Sequence, residues 1–294
     1  LLIQKAAGRI KGMKLCIIAP KNSKSALSIK LAAEKRGHDC KRARLGDVYF
    51  EVKNNELHVA HRKIELNDFD AFIFRTFNQV EKEEALALGK YLSKKGKKVI
   101  DSCLTTSCLN HIELIEKLTE ANVPQVDKVR TFSLKSARDV LMEFAHPILV
   151  RPLEDSKERY TASEDWTDSY DIVRTEKSKK FEFQALLQTD NFLRVYIVGD
   201  KVLGCIKKTV LDDDARLNYA EKFKNEKGML SSELESIALK AAKALGYQIA
   251  SVDIVVNESK PYVLDVSRSP KFKTFNKYHD IKIEDEIIEY LEGI

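Results

Sequence analysis

Ile249-Ala250-Ser251-Val252-Asp253-Ile254-Val255-Val256, then Asn257-Glu258-Ser259-Lys260-Pro261, then Tyr262-Val263-Leu264-Asp265-Val266-Ser267 is the stretch from which the fold is read. Two apolar runs separated by a short polar segment predict a β-hairpin. Each run is broken by one carboxylate, Asp253 between Val252 and Ile254 and Asp265 between Leu264 and Val266. A carboxylate inside an apolar strand has to be compensated. If the two strands pair, a hard cation such as Mg²⁺ could be held by the two oxygen groups, with nucleotide phosphates and water completing its shell. The competing reading, in which either Asp faces solvent or a neighbouring Lys, stands beside it.

Upstream of the hairpin, Ser232 and Glu235 have capping-box spacing, and Leu234, Ile237, Ala238, Ala241 and Leu245 share one helical face before Gly246. Before that helix, Phe181 to Leu187, Leu193 to Val198 and Lys201 to Lys207 read as extended segments, with Gly199-Asp200 as a hairpin turn, so this half is expected to be antiparallel. Arg194, Lys207-Lys208, Arg216 and Asn218 form a candidate anion-binding wall. Lone basic residues on strands more often complete salt bridges or wet an outer face, and spacing does not decide between the two.

The first half alternates strand and helix. Leu15 to Ala19 reads as a strand, Ser23 to Arg36 as a helix, Tyr49 to Val52 with Glu56 to Ala60 as a hairpin, Phe69 to Phe74 as a strand, Val80 to Leu92 as a helix and Val99-Ile100 as a strand. The link from Pro20 to Ser25 contains no glycine, so a dinucleotide fingerprint is absent. A helix over Asn110 to Leu118, a strand over Val129 to Phe132, a helix over Ser136 to Phe144 and a strand from Ile148 follow. Glu154 to Arg159 is a polar, solvent-facing segment, Tyr170 to Val173 reads as a returning strand, and Glu284 to Leu291 as the final helix.

The chain has 294 residues, 44% hydrophobic and 32% charged, which is enough apolar content for a core and suggests roughly two or more units. Fifty Lys and Arg against forty-five Asp and Glu give +5, with both signs interleaved, so nucleic-acid binding is not favoured. No run approaches a membrane span. Five cysteines, an odd number with no secretory pattern before them, point to a reducing, cytoplasmic compartment without disulfides. No Gly-x-Ser-x-Gly elbow occurs, and the six histidines are scattered.

The run Leu193-Arg194-Val195-Tyr196-Ile197-Val198-Gly199-Asp200, Lys207-Lys208, Arg216-Leu217-Asn218, Ser251-Val252-Asp253-Ile254 and Val263-Leu264-Asp265-Val266-Ser267-Arg268-Ser269-Pro270 resembles the ATP-grasp superfamily, especially its RimK-type amino-acid (glutamate) ligases. The resemblance implies a mixed α/β and α+β chain, an ATP-grasp fold with an N-terminal Rossmann-like pre-grasp domain. Residues 1–12 would be an N-terminal arm, native or appended, 13–102 the pre-grasp domain, 103–180 the first grasp lobe and 181–294 the second. It further implies ATP and Mg²⁺ as cofactors. Asp253, Asp265 and Ser267 would be metal ligands, and His111, Arg151, Gln184 and Lys208 would contact nucleotide. Arg194, Arg216 and Asn218 would address phosphates or the activated carboxyl group. Such ligases phosphorylate a carboxylate with ATP, after which an amine attacks the acyl phosphate. The implied partners are a small-molecule or protein carboxylate and an amino-acid amine, with no membrane.

The sequence departs from that pattern around the nucleotide. Arg151 replaces a lysine, His111 aligns with another, and Glu154-Asp155-Ser156-Lys157-Glu158-Arg159-Tyr160 replaces a glycine-rich loop. Gln184-Ala185 replaces a Gln-Glu pair, Leu193 an acidic position, and Ser267 a metal-site asparagine. An attenuated ligase and a non-catalytic interaction or regulatory protein on the same fold, with a protein partner, are therefore the two readings carried forward.

Overall fold

A computed structural model describes residues 12–76, 81–106, 110–153, 161–187, 189–211 and 223–294. The chain opens with β1 (Lys14–Ile18), whose last four residues are buried, and α1 (Lys24–Lys35). The Ser23 side chain caps α1 by accepting from the Ala26 amide, and Ala26, Ile29, Ala32 and Ala33 form its buried face. β2 (Asp39–Ala43) follows. It has no counterpart in the sequence reading because Cys40 and Ala43 are its only buried positions, and an edge strand of this kind reads as polar. β3 (Val48–Lys53) and β4 (Glu56–His61) pair through Asn54 and Asn55, both at positive φ as a two-residue hairpin turn requires, and β5 (Ile64–Glu65) adds to β4. β6 (Ala71–Phe74), α2 (Lys82–Lys94) and β7 (Lys98–Ile100) complete a parallel sheet of order β2-β1-β6-β7, followed by the short α3 (Cys103–Thr106).

A second sheet is antiparallel. α4 (His111–Glu120) is capped by Asn110, whose side chain accepts from the amides of Ile112 and Glu113. β8 (Lys128–Thr131), α5 (Leu134–Glu143), β9 (Ile148–Pro152), β10 (Thr161–Ser163), α6 (Trp166–Thr175) and β11 (Phe181–Ala185) follow, with strand order β10-β9-β11-β8. The strand expected over Tyr170 to Val173 is instead the second half of α6. Asp165 caps that helix at the Asp168 amide, and Ser169 and Val173 are buried at the helical spacing of four. β11 hydrogen-bonds to both β9 and β8, so residues 181–185 belong to this sheet and not to the one that follows.

The third sheet has order β14-β13-β12-β15-β16, built from β12 (Asn191–Val198), β13 (Lys201–Val210), β14 (Phe223–Lys227), β15 (Ile249–Asn257) and β16 (Lys260–Ser267). Gly199 takes the positive φ of the β12–β13 turn, and Glu258 and Ser259 turn β15 into β16 at the Asn257–Lys260 pair. α7 (Ser232–Ala244) is capped by Ser231, one residue earlier than expected, and buries Leu234, Ala238, Ala241 and Ala242. α8 (Phe272–Tyr278) and α9 (Ile283–Gly293) close the chain.

One apolar cluster runs from Phe72, Phe74 and Leu88 of the parallel unit to Val195, Val252 and Ala238 of the third sheet and its helix. Such continuous burial resists separation of the units by water. A polar seam reinforces it. The fully buried Arg75 guanidinium donates to the carbonyls of Arg268 (3.3 Å) and Pro270 (3.0 Å), and Arg268 donates back to the Phe74 carbonyl (2.8 Å). The residues just past the end of β16 are thereby fixed to the parallel unit.

Candidate functional site: a polar cleft between two antiparallel sheets

Strand register assembles one wall. Across β12, β15 and β16, Arg194 pairs with Asp253 and Asp253 with Asp265, so three charged side chains stand abreast on one face. Arg194 grips Asp253 with two bonds, Nε to Oδ1 at 2.7 Å and Nη2 to Oδ2 at 2.6 Å, the planar fork meeting the carboxylate edge-on. One strand further out, Lys208 pairs in register with Phe192, and its ammonium lies 4.2 Å from the Phe223 ring centroid and 5.2 Å from that of Phe192. Burial, and then the nearby Arg194, bring the Lys208 amine down to about 8.

The opposite wall comes from the second sheet, where Glu182 pairs in register with Arg130 on one side and Arg151 on the other. Arg130 donates to Glu182 Oε2 through Nη2 at 2.6 Å and Nε at 3.2 Å, and Arg151 Nη2 lies 2.8 Å from Oε1. Glu182 is only 4% exposed, so this is a desolvated Arg–Glu–Arg triad. Two residues along, Gln184 pairs with Lys128. The walls meet along a backbone join: the Val263 amide donates to the Pro124 carbonyl (2.8 Å), and Gln125 bridges Val263 in parallel. Lys128 and Asp265 both line the cleft beyond this join.

The cleft between the walls measures about 370 Å³ and is lined by Lys128, Arg151, Glu182, Gln184, Arg194, Lys208, Asp253 and Asp265, with Leu114, Ile115 and Leu118 of α4 among its apolar neighbours. The Asp265 side chain is exposed to solvent within the cleft, although protein atoms surround it on most sides. Burial first, and then the carboxylate of Asp253, raise its carboxyl above the usual carboxylate range. Lys128 is lowered, chiefly by burial, against the opposing pull of Glu182 and Asp265.

Six of the residues singled out in the sequence therefore share this cleft: Asp253, Asp265, Arg194, Lys208, Arg151 and Gln184. Ser267 stands outside its lining; it pairs with Ser251, and its hydroxyl accepts from the Ser269 amide at 3.4 Å. His111 is the first residue of α4, and its side chain is outside the described set. Arg216 and Asn218, like the loop from Glu154 to Tyr160, lie outside the described residues. Two charged cleft residues were not anticipated, Lys128 and Glu182. Their signal was alternation: Lys128-Val129-Arg130 and Phe181-Glu182-Phe183-Gln184 each put polar side chains on one face, and Phe181 and Phe183 are fully buried on the other.

Among the described residues no group of three His, Cys, Asp or Glu side chains is arranged to hold a metal. The donor set at Asp253 and Asp265 is two hard oxygen ligands on neighbouring strands, with Asp265 raised by burial and then by its like-charged neighbour. That suits a Mg²⁺ ion that brings phosphates and water as its remaining ligands, and does not suit an all-protein cage.

Two antiparallel sheets closing on one charged cleft, preceded by a parallel α/β unit, is the ATP-grasp fold. Within it, residues 175–291 match the RimK-like ATP-grasp domain family. The chain is 33% identical over 100 residues to a probable alpha-L-glutamate ligase of Legionella pneumophila (strain Corby), an alignment covering 34% of this chain and 33% of that protein. It thus spans about a third of the length of that curated relative. A probable alpha-L-glutamate ligase 1 of Shewanella frigidimarina is 26% identical over 291 residues, with 92% of both chains covered. The solved ATP-grasp ligase PsnB, complexed with minimal precursor, Mg and ADP, superposes with a TM-score of 0.73 at 16% identity, covering 95% of this chain and 96% of that one.

Proposed function

We propose that this protein is an ATP- and Mg²⁺-dependent ligase that joins a carboxylate to an amine. The observation that carries the reading is the single cavity in which Asp253, Asp265, Arg194 and Lys208 from one sheet face Arg151, Gln184 and Lys128 from another. In this reading Asp253 and Asp265 hold the metal, which would offset charge on the transferring phosphoryl group. Arg194 and Lys208 bind and orient anionic oxygens on the third-sheet side. Gln184, buried on β11, offers an amide for the nucleoside, and the apolar side chains of α4 exclude water from the floor. Arg216, Asn218 and Ser267 are proposed to complete the acyl and metal contacts, and His111 and Arg151 those to nucleotide. No protein nucleophile is required, because an acyl phosphate is attacked directly by the amine. The names of the curated relatives make glutamate the first amine to try, and the PsnB complex makes a peptide the first large carboxylate.

The test is ADP and phosphate release with the purified protein across a panel of carboxylates and amines, glutamate and acidic peptides included. Amide product confirmed by mass supports the reading. Absence of turnover by folded protein that still binds Mg-ADP favours the second reading, a nucleotide-responsive regulatory or interaction protein. That alternative has its own observation: Arg151, which stands where the resemblance places a phosphate-binding lysine, is held by Glu182.

A further inference from the structure

The cleft contains four cationic side chains, and they are not equally available. Arg194 is held by both oxygens of Asp253, and Arg151 by Glu182, which Arg130 holds from the other side. Lys208 rests against two aromatic rings. Lys128 has neither arrangement. It is half-buried on the cavity wall, with no hydrogen bond or ion pair among the described residues, and its nearest acids act only at a distance. Glu182, the acid on the adjoining strand, already serves two guanidiniums. A desolvated ammonium left without an acceptor costs stability unless something is there to receive its three donors.

We propose that Lys128 is the phosphate anchor of the second-sheet wall, receiving with Lys208 from the third-sheet wall the anionic part of a nucleoside di- or triphosphate. The inference rests on the reading of the cleft as a nucleotide site and names a residue outside the set that the resemblance supplies. Chemistry favours the assignment. A compact ammonium on a flexible stem can follow a phosphate chain as a point charge, whereas in the ligand-free fold the Arg194 fork lies on Asp253 and Arg151 contacts Glu182. Lys128 and Asp265 line the same cleft and each feels the other's charge, so an anion held by Lys128 would lie on the side of the cleft that carries the proposed metal ligand. The positive charge that His111 and Arg151 do not provide in the expected form is supplied from β8 instead.

The test combines calorimetric titration with thermal melting, using wild type, Lys128→Met, Lys128→Arg and Arg151→Met, with Mg-ADP and adenosine as probes. Lys128→Met is expected to weaken Mg-ADP binding at least about tenfold, the loss of a charge-assisted contact, while adenosine binding stays within about twofold. Lys128→Arg should retain most of the affinity. The ligand-free Lys128→Met protein should melt no lower than wild type, because it has lost a desolvated charge and no bond. Mg-ADP affinity unchanged in Lys128→Met, or falling no further than in Arg151→Met, overturns the proposal. So does a lowered melting point with intact affinity, which would mark Lys128 as a structural counter-charge, and so does an equal loss for adenosine. Failure of the wild type to bind Mg-ADP is a separate result: it removes the nucleotide reading itself, and Lys128 with it.

Discussion

Glu182→Gln tests the energetics of the second-sheet wall directly. In the folded protein Glu182 is 4% exposed and accepts from Arg130 at 2.6 and 3.2 Å and lies 2.8 Å from Arg151. The amide keeps the shape but removes the charge, and it turns one acceptor into a donor facing a guanidinium. Two charge-assisted contacts at roughly 1.5–3 kcal/mol each, within the roughly 3–5 kcal/mol usual for breaking a buried pair, give a loss of about 4 kcal/mol. At about 2 °C per kcal/mol for a chain of this size, the midpoint should fall by about 8 °C. The only tryptophan, Trp166, begins α6 of the same unit and stacks on Tyr170 at 5.1 Å, so its fluorescence reports unfolding where the triad sits. The triple variant Arg130→Met, Glu182→Leu, Arg151→Met should recover most of the loss, since uncharged packing replaces three desolvated charges. A Glu182→Gln midpoint within about 2 °C of wild type, or a triple variant less stable than the single, would refute this account of the wall.

Two further perturbations separate the third-sheet wall's charges. Lys208 gives up its proton near pH 8 in the fold against 10.5 for an ordinary lysine. The unfolded chain therefore binds more protons between those values and stability rises with pH across that window, while affinity for an anion falls as pH climbs through 8. Titration of ADP at pH 7 and pH 9 should show the fall in wild type and its absence in Lys208→Arg; equal wild-type affinities would remove Lys208 from the anion site. For Asp265, whose folded carboxyl is raised, the native state keeps its proton longer, so wild type loses stability as pH rises from the ordinary carboxylate range through the folded value. Asp265→Asn should lack that loss, melt higher than wild type at pH 7 without ligand, and gain less from Mg-ADP. A lower ligand-free melting point for the variant would contradict the crowding of the two carboxylates.

Much of this was legible in the chain because strand period and turn chemistry are local. The hairpin of Asp253 and Asp265 was readable from two apolar runs around a polar turn, and the β12–β13 hairpin from Gly199-Asp200. Where burial is one-sided and short, local signals fail. β2 looked polar because it is an edge strand with two buried side chains, and Tyr170 to Val173 looked like a strand because a four-residue apolar window cannot distinguish period two from the period of α6. The site shows the same division. Residue types at Arg194, Lys208, Asp253 and Asp265 were readable, but the commitments among them were not. Arg151 is paired with Glu182, and Lys128 has no hydrogen bond or ion pair among the described residues, only because β8, β9 and β11 are brought together from separate parts of the sequence.

The pairing of Arg194 with Asp253 sets a condition on any ligand. Under the proposed function Asp253 turns an oxygen toward a metal, and Arg194 then gives up at least one of the two bonds it makes at 2.7 and 2.6 Å. A guanidinium released in this partly desolvated cleft is favoured by another anion, because an uncompensated charge there costs more than at an open surface. A phosphate oxygen on the same ligand meets that need. Metal and nucleotide then enter as an exchange of partners in which no charge is left alone, whereas either one by itself leaves Arg194 or Asp265 uncompensated. Affinity for ADP should therefore depend on Mg²⁺ far more steeply in wild type than in Arg194→Met, where the resident cation has already gone. Equal dependence in the two proteins would mean that Arg194 never yields and that Asp253 is a structural partner alone.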